Sequence, residues 1–526
     1  MNGAQSLVRS LIAQGIKVCF ANPGTSEMHF VAALDSVPGL RCILGLHETV
    51  VTGAADGYGR MTGSPAVTLL HTGPGLANGL SGLHNARKAW APIVNIVGEH
   101  ALSHLEYDAP LTSDIQTLAA PMSHWVYTAG SANELAAAGA EAVKQANTHP
   151  GHIATLILPA NTAWESAEDV SIEKSIVGTK PQSTAPTRSH DDTCVRSLSS
   201  VLAAASDNNE PVCIILGGHA LHATALEWAD RFAQRCGATL FAETFKNRFQ
   251  RGEGRVRVTE IPYPIDLAIE LLKPFKHVIT VCAKAPVGFF GYPDKPSRLY
   301  PDEAQVHTLA SVHDDAIAAL QALCLAMGAN TLLPRLEPRQ QHDEHKNAPL
   351  SADAIGPILA NQLPEDTIVV DEAITSGASI SRCTQYAAAH DWLEVCGGSI
   401  GGGMPISIGA AVACPDRKVI NLQADGSGMY CVQSLWTQAR ESLNITTIVF
   451  ANSSYAILKI ELDNVQASSG QTATDMMELD RPTIDWVALA SGMGVKARKV
   501  TTVDEFREAL AAALAFEGPF LIEAVI

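Results

Sequence analysis

Charge and aromatic residues are scarce in this chain: Asp, Glu, Lys and Arg make up 17% of its 526 residues, and Phe, Trp and Tyr only 6%. Positive charge is scarcest, with 36 Lys and Arg against 54 Asp and Glu and a net charge of -18 at pH 7. Nonspecific nucleic-acid binding and adhesion to an anionic membrane both need clustered basic residues, so neither is expected. A small anionic substrate stays compatible, because a local site can be positive inside an acidic protein. No apolar run approaches 18 uninterrupted residues, and no charged segment followed by a long apolar core opens the chain. Neither a membrane span nor a secretory leader is therefore expected. The 11 cysteines are odd in number and scattered, with no Cys-x-x-Cys pair, which argues against a zinc site or a disulfide framework. Cys213 and Cys282 fall in apolar, strand-like runs, the pattern of reduced core residues in a cytosolic protein. Short tandem repeats and low-complexity segments are lacking as well.

What is present is apolar surface, 47% of residues, in a chain too long for one core. Roughly 100 to 200 residues per domain predicts three domains. The first, over 1–165, begins with an amphipathic helix ending at Gly15 and the apolar strand Ile16 to Ala21, which leads into the polar loop Asn22-Pro-Gly-Thr-Ser-Glu27. Strands at Cys42 to Leu46, Ala66 to Leu70 and Ile93 to Val97 follow, and each delivers polar or glycine residues: His47-Glu48, His71-Thr-Gly-Pro-Gly75 and Gly98-Glu99. Strands alternating with helices predict α/β architecture on a parallel sheet. A Ser/Thr/Pro-rich linker over 165–190 leads to a central α/β domain over 190–330, with strands near 212–216, 238–245 and 277–283. A second polar, proline-bearing linker over 331–350 leads to the third domain, 350–526. The predicted fold is three doubly wound parallel-sheet domains.

The stretch from Lys418 to Ile457 carries the densest information. Lys418 to Gln423 and Ile445 to Phe450 read as strands, with helical spacing between them, so they form a parallel pair joined by a right-handed crossover. The first ends in Ala424-Asp-Gly-Ser427 and the second in Asn452-Ser-Ser454. Ligands of open parallel sheets sit at the carboxyl ends of strands, so Asp425 and Asn452 can face one crevice. A carboxylate, an amide oxygen and a backbone carbonyl are hard ligands suited to magnesium shared with a diphosphate. Taken singly, each piece has a plainer reading, since Asp-Gly is often a turn and Asn-Ser a helix cap. Glu48, after the apolar run CILGL, reads either as a strand-end residue among apolar neighbours or as a helix N-terminal carboxylate favoured by the helix dipole.

Taken together, the frame NPGTSE, LHE, HTGPG, GGSIGGGMP, ADGSG and Asn452 resembles, in order, the thiamine diphosphate (ThDP) enzymes of the decarboxylase and acetolactate synthase family. The resemblance is strongest over 2–165 and 350–526, and the NPG and LH loops look most like those of benzoylformate decarboxylase. The main departure is Ala424, where the family usually has a glycine. The resemblance implies a ThDP- and magnesium-dependent enzyme acting on a 2-oxo acid with an apolar side chain. It assigns Glu48 to the aminopyrimidine nitrogen of the cofactor, where a carboxyl promotes formation of the carbon nucleophile. It places Thr25 and His71 on the substrate side, the histidine as an acid or base near neutral pH. Asp425, Asn452 and the Ser454 carbonyl become metal ligands. Thr375, Ser376, Gly426, Ser427, Ser454 and Tyr455 join Gly398 and Ile400 as cofactor contacts, with Ile400 as the apolar wedge under the bent cofactor.

Decarboxylation ending in an aldehyde and carboligation ending in an acyloin both stay open. Acetolactate synthase proper is an alternative, against which stand Thr49 in place of the usual Gln and the run Ile457-Leu-Lys-Ile460 in place of a Trp and Arg. The central domain has CAKAPVGFFGYPDKP where FAD-bearing relatives carry an Arg-rich segment, so FAD is not expected, and Phe289, Phe290 and Tyr292 become candidates for an aromatic wall or for ordinary packing. A noncatalytic cofactor-binding homologue with a regulatory or structural role is the remaining alternative. The family arrangement further implies a homodimer at minimum and a homotetramer as the expected assembly, in the cytoplasm.

Overall fold

The computed structural model describes residues 1–168, 191–344 and 348–526. Most of the expected first linker, from residue 169 to 190, and residues 345–347 of the second lie outside the described residues. Three sheets organise the chain. The first contains β1 (Val18–Asn22), β2 (Arg41–Leu44), β3 (Ala66–Leu70), β4 (Ile93–Glu99), β5 (Trp125–Thr128) and β6 (Ile153–Pro159), in the spatial order β2-β1-β3-β4-β6-β5 with every pair parallel. Strands β3, β4 and β6 are buried along their whole length, so they read as largely apolar runs, broken by Thr68, Asn95, Glu99 and Thr155, rather than as alternation.

The central region supplies β7 (Val212–Leu216), β8 (Thr239–Ala242), β9 (Phe249–Arg251), β10 (Thr259–Glu260), β11 (His277–Val281) and β12 (Gln305–Ala310). Five of these form the second sheet in the order β10-β8-β7-β11-β12, again parallel. The third sheet takes β13 (Thr367–Glu372), β14 (His390–Glu394), β15 (Val419–Ala424), β16 (Ile445–Ala451), β17 (Lys496–Val500) and β18 (Phe520–Val525). Its order is β17-β18-β16-β15-β13-β14-β9, and the visiting β9 pairs antiparallel with β14, so one edge departs from the all-parallel expectation.

Edge strands were the ones that sequence pattern left out. β5, β12 and β17 alternate with polar residues and stand half open to solvent, as edge strands do. Strand β14 begins with the polar pair His390-Asp391, buried because Asp391 meets Arg248 at 2.8 Å and Arg417 at 2.6 Å. Glu48 does not end a strand. β2 stops at Leu44 and Glu48 is the first residue of a 15-residue helix, Glu48–Thr62, capped by His47, whose Nδ1 accepts the Thr49 N–H at 3.2 Å.

The domains are joined by contacts of different chemistry. Helix Glu48–Thr62 lies along helix Gly403–Ala413 of the third domain, close enough that a Cβ at Gly57 would come within 2.1 Å of the Ile406 carbonyl. The first and central domains meet through rings, with His149 stacked on His219 and Trp90 edge-on to His313. The central and third domains are tied by buried ions: Lys246 lies 3.0 Å from Glu260 and 2.8 Å from Glu394, and Arg251 reaches Glu260, Ser381 and Thr384. All 11 cysteines are free thiols, with Cys213 and Cys282 in the core.

Candidate functional site

The carboxyl ends of the first and third sheets collect the residues singled out by sequence. On the first sheet, β1 runs into the loop holding the short turn Thr25–Glu27, and β3 delivers His71 at the N-cap of helix Thr72–Lys88. His71 Nδ1 lies 2.8 Å from the Glu27 carboxylate, whose same oxygen accepts the Gly24 N–H at 2.7 Å. Glu27 is fully buried, its other oxygen has no hydrogen-bond partner among the described residues, and a Cβ at Gly98 would sit 1.6 Å from that oxygen. Burial pushes the Glu27 pKa up, against the pull of the Gly24 N–H and His71. The loop also presses on the imidazole, because a Cβ at Gly24 would meet its ring at 2.3 Å.

Glu48 approaches from the helix that follows β2. Its Oε2 accepts the Asn78 side-chain N–H at 3.1 Å, and a Cβ at Gly75 would be 3.1 Å from Oε1 and 3.4 Å from the Cβ of His71. Gly75 therefore stands between Glu48 and His71, and the exposed Thr25 lies on the same loop as Glu27. Thr25, His71 and Glu48 are brought to one end of one sheet.

On the third sheet, β15 ends at Ala424 and β16 at Ala451, adjacent and parallel. Asp425 is buried and bridges the two strand ends, its Oδ1 accepting the Gly426 N–H at 2.8 Å and its Oδ2 the Ser453 N–H at 2.7 Å. Burial raises its pKa and these donors oppose the rise. Asn452 Oδ1 accepts the Ser454 N–H at 3.0 Å. The crevice expected from sequence is thus built, with a carboxylate and an amide oxygen on facing loops. That donor set fits a hard divalent cation. Gly426 has no room for a side chain, since a Cβ would lie 2.4 Å from the Tyr455 ring. Ser427 Oγ accepts from Gln423 Nε2 at 2.7 Å. Thr375 and Ser376 occupy a short turn after β13, the threonine exposed and the serine buried.

Gly398 and Ile400 lie on the glycine turn ahead of helix Gly403–Ala413. Gly398 (φ 73°) and Gly401 (φ 96°) adopt left-handed conformations that favour glycine. The first domain holds this turn directly: Asn85 donates to the Ser399 carbonyl at 2.8 Å and accepts the Ser399 N–H at 3.2 Å, while His84 Nε2 meets the Gly397 carbonyl at 3.0 Å. Strain gathers at the same strand ends. Thr72 after β3, Ile374 after β13 and Ser453 after β16 are non-glycine residues with φ of 49°, 53° and 54°. Among the described residues no hydrogen bond joins Glu48 or His71 to Asp425, Asn452 or Gly398 of the same chain.

The aromatic candidates divide. Phe289 lies against Gly398, where a Cβ would meet its ring at 2.5 Å, and forms a cluster with Phe245, Tyr263 and Phe290 at centroid distances of 5.3, 5.6 and 4.8 Å. Tyr292 is buried in the core of the central domain, and its hydroxyl donates to Glu461 at 2.8 Å, as does Tyr263 at 3.1 Å. Sequence reasoning gave no role to Glu27, Asn78, Asn85, Glu372 or Glu461. Glu27 closes the NPGTSE motif after β1, and Glu372 ends the apolar strand β13, so an acidic residue at or shortly after the carboxyl end of an apolar strand is the signal both carry.

Comparisons with known proteins agree with this geometry. Residues 1–120 match the N-terminal TPP binding domain of thiamine pyrophosphate enzymes, and residues 376–524 match the C-terminal TPP binding domain. The chain is 44% identical to the acetolactate synthase large subunit-like protein IlvX of Mycobacterium tuberculosis, over 100% of this chain and 99% of that one. It is 26% identical to benzoylformate decarboxylase of Pseudomonas aeruginosa, over 97% and 96% of the two chains. Among solved structures, the ThDP-dependent 4-hydroxybenzoylformate decarboxylase of Rhodococcus jostii RHA1 shares the fold with a TM-score of 0.84 at 23% identity, covering 99% of this chain and 98% of that one. With matching domains at both ends and a close relative along its whole length, the chain belongs to the thiamine diphosphate-dependent enzymes of the decarboxylase and acetolactate synthase family.

Proposed function

We propose that the protein is a ThDP- and magnesium-dependent enzyme that removes carbon dioxide from a 2-oxo acid with an apolar side chain and releases an aldehyde or passes the remaining fragment to a second carbonyl compound. The observation that carries this reading is the placement of Glu48 and His71 on either side of Gly75, with Glu27 hydrogen-bonded to the histidine. When bound, ThDP supplies the carbon nucleophile and the electron sink for the decarboxylation. Glu48 holds a proton at the aminopyrimidine nitrogen. His71, oriented by Glu27, exchanges a proton with the substrate, and Thr25 orients the substrate carboxylate. Asp425, Asn452 and the Ser454 carbonyl hold magnesium, and Thr375, Ser376, Gly426, Ser427, Ser454 and Tyr455 embrace the diphosphate. Gly398 and Ile400 take the pyrimidine, and Phe289 with its aromatic neighbours gives the substrate end an apolar wall.

In this reading the domains divide near 1–165, 190–330 and 350–526. Glu48 of one subunit serves the Asp425 crevice of another, in a cytoplasmic homodimer or homotetramer. No helix among the described residues is long and apolar enough to cross a membrane. Full-length similarity to the IlvX protein favours a second reading, acetolactate formation from pyruvate, against which the residues after Asn452 still speak. The test is product analysis of purified protein supplied with ThDP, magnesium and either pyruvate, benzoylformate or longer 2-oxo acids. Aldehyde or mixed acyloin from the longer acids supports the first reading, and acetolactate from pyruvate alone supports the second. Failure to release carbon dioxide from any of them sinks both and leaves a noncatalytic role.

A further inference from the structure

We propose that Glu372 is a positioning residue for the cofactor, its buried carboxylate fastening the glycine turn that presents Gly398 and Ile400 to the side-chain relay that ends on Ser427. The inference rests on the cofactor assignment above and adds to it the residue that sets the two contact regions relative to each other.

Glu372 is the last residue of β13 and is 2% exposed. Its Oε1 accepts the Gly401 N–H at 2.5 Å, and its Oε2 accepts the Gly403 N–H at 2.7 Å and the Gln423 Nε2–H at 3.0 Å. The same Gln423 nitrogen donates to Ser427 Oγ at 2.7 Å. One carboxylate therefore takes donors from the glycine turn and from the end of β15, while its own main chain leads into the turn with Thr375 and Ser376. Three loops that together would surround the pyrimidine and the diphosphate converge on a single side chain.

Packing leaves that side chain no alternative place. A Cβ at Gly403 would lie 2.8 Å from Gln423 Oε1 and 2.9 Å from Glu372 Oε2. A carboxylate out of water is costly unless its lone pairs are filled, and here three N–H groups fill them. An isosteric amide cannot do the same, because its NH2 group would face an N–H donor instead of accepting from it. Glutamine at 372 deprives the Gly401 N–H of its acceptor in one orientation, and the Gly403 N–H and Gln423 of theirs in the other, so the glycine turn loses one of its two holds whichever way the amide points.

The experiment is a titration of the full-length protein with ThDP in magnesium, followed by tryptophan fluorescence and by the near-ultraviolet circular dichroism of the bound cofactor. Glu372→Gln is expected to weaken ThDP binding at least tenfold and to change the dichroism of the cofactor at saturation, a signature that loss of stability alone would not alter. Gln423→Met, which removes the donor to Glu372 and Ser427 and the acceptor of Asn421 but leaves the Glu372 contacts to the glycine turn, is expected to weaken ThDP and magnesium pyrophosphate alike by several-fold, and it carries the test if Glu372→Gln does not fold. Binding by either folded variant within twofold of wild type, with unchanged dichroism, overturns the inference and leaves the proposed function standing. Failure of the wild-type protein to bind ThDP overturns both.

Discussion

The first and third sheets share a plan and differ in chemistry. Both gather polar residues at the carboxyl ends of parallel strands, yet among the described residues the first leaves a buried carboxylate oxygen without a donor while the third gives a donor to each oxygen of Asp425 and Glu372. Among the described residues Glu27 leaves one buried oxygen without a hydrogen-bond partner and pairs the other with His71 and the Gly24 N–H, and Glu48 accepts from the amide of Asn78 through one oxygen. In the third sheet Asp425 takes two backbone N–H groups and Glu372 takes three N–H donors. A carboxylate with donors on both oxygens is fixed in place, which suits holding a cation or shaping a loop, even though burial raises the pKa of Asp425 and Glu372 as it does that of Glu27. A carboxylate left half-satisfied beside a histidine can change its proton at small cost. The difference assigns proton movement to the first domain and the holding of charge to the third.

That division can be broken by substitution. The largest effect is expected for Glu48→Gln, which should lower kcat about 10³-fold, within the range for loss of an acid-base group, while ThDP affinity changes far less. Steady-state kinetics beside a cofactor titration would check this, and a loss confined to affinity would overturn the division. Asp425→Ala should do the reverse, weakening magnesium-dependent ThDP retention by about 100-fold, comparable to damage at other metal-ligand sites. Dialysis against a chelator should strip the cofactor from wild type and find little left to strip from the variant.

Glu27→Gln should cost about 10- to 100-fold in kcat, less than Glu48 because it acts through His71. It should also simplify the pH profile. Burial raises the Glu27 pKa, so in wild type its ionised form is lost, as pH falls, above the ordinary glutamate range near about 4.3. Activity that depends on the ionised form declines through that window. The variant has no group to protonate there, so its relative kcat/KM should stay level over the same interval. A profile that keeps the limb would place the limb on another group.

Much of this arrangement was legible in the sequence where burial imposes a pattern. Strand β3 is legible at its true bounds, Ala66 to Leu70, because both its faces are covered and four of its five residues are apolar. The Asp425 and Asn452 crevice followed from two such strands and the small polar residues after each. Edge strands β5, β12 and β17 carried no such signal, and the excursion of β9 into the third sheet is set by Arg251 and its buried partners, a tertiary matter that no local pattern records. Glu48 shows the limit most clearly. Its apolar neighbours suggested a strand end, whereas the three residues after Leu44 turn the chain and His47 caps a helix, so the plainer reading of a helix N-terminal carboxylate describes its backbone. Its nearness to His71 came from Gly75, whose lack of a side chain lets the two approach.

The smallest effect is expected at Ala424, the residue that departs from the family's usual glycine. Glycine is required where φ is positive or where another group leaves no room for a side chain. Ala424 satisfies neither condition on the backbone: its φ of -78° and ψ of 146° are extended values open to any residue. Two positions later Gly426 meets the second condition, with the Tyr455 ring 2.4 Å from where a Cβ would be. Ala424→Gly should therefore leave ThDP affinity within about twofold while lowering stability by about 0.4 to 1 kcal/mol, through the greater freedom of glycine in the unfolded chain. Gly426→Ala should disturb cofactor binding much more. If Ala424→Gly instead changed affinity tenfold, the shape of this loop would depend on its first residue and not on the donors gathered by Asp425, and the third domain would lose the fixed carboxylate that sets it apart from the first.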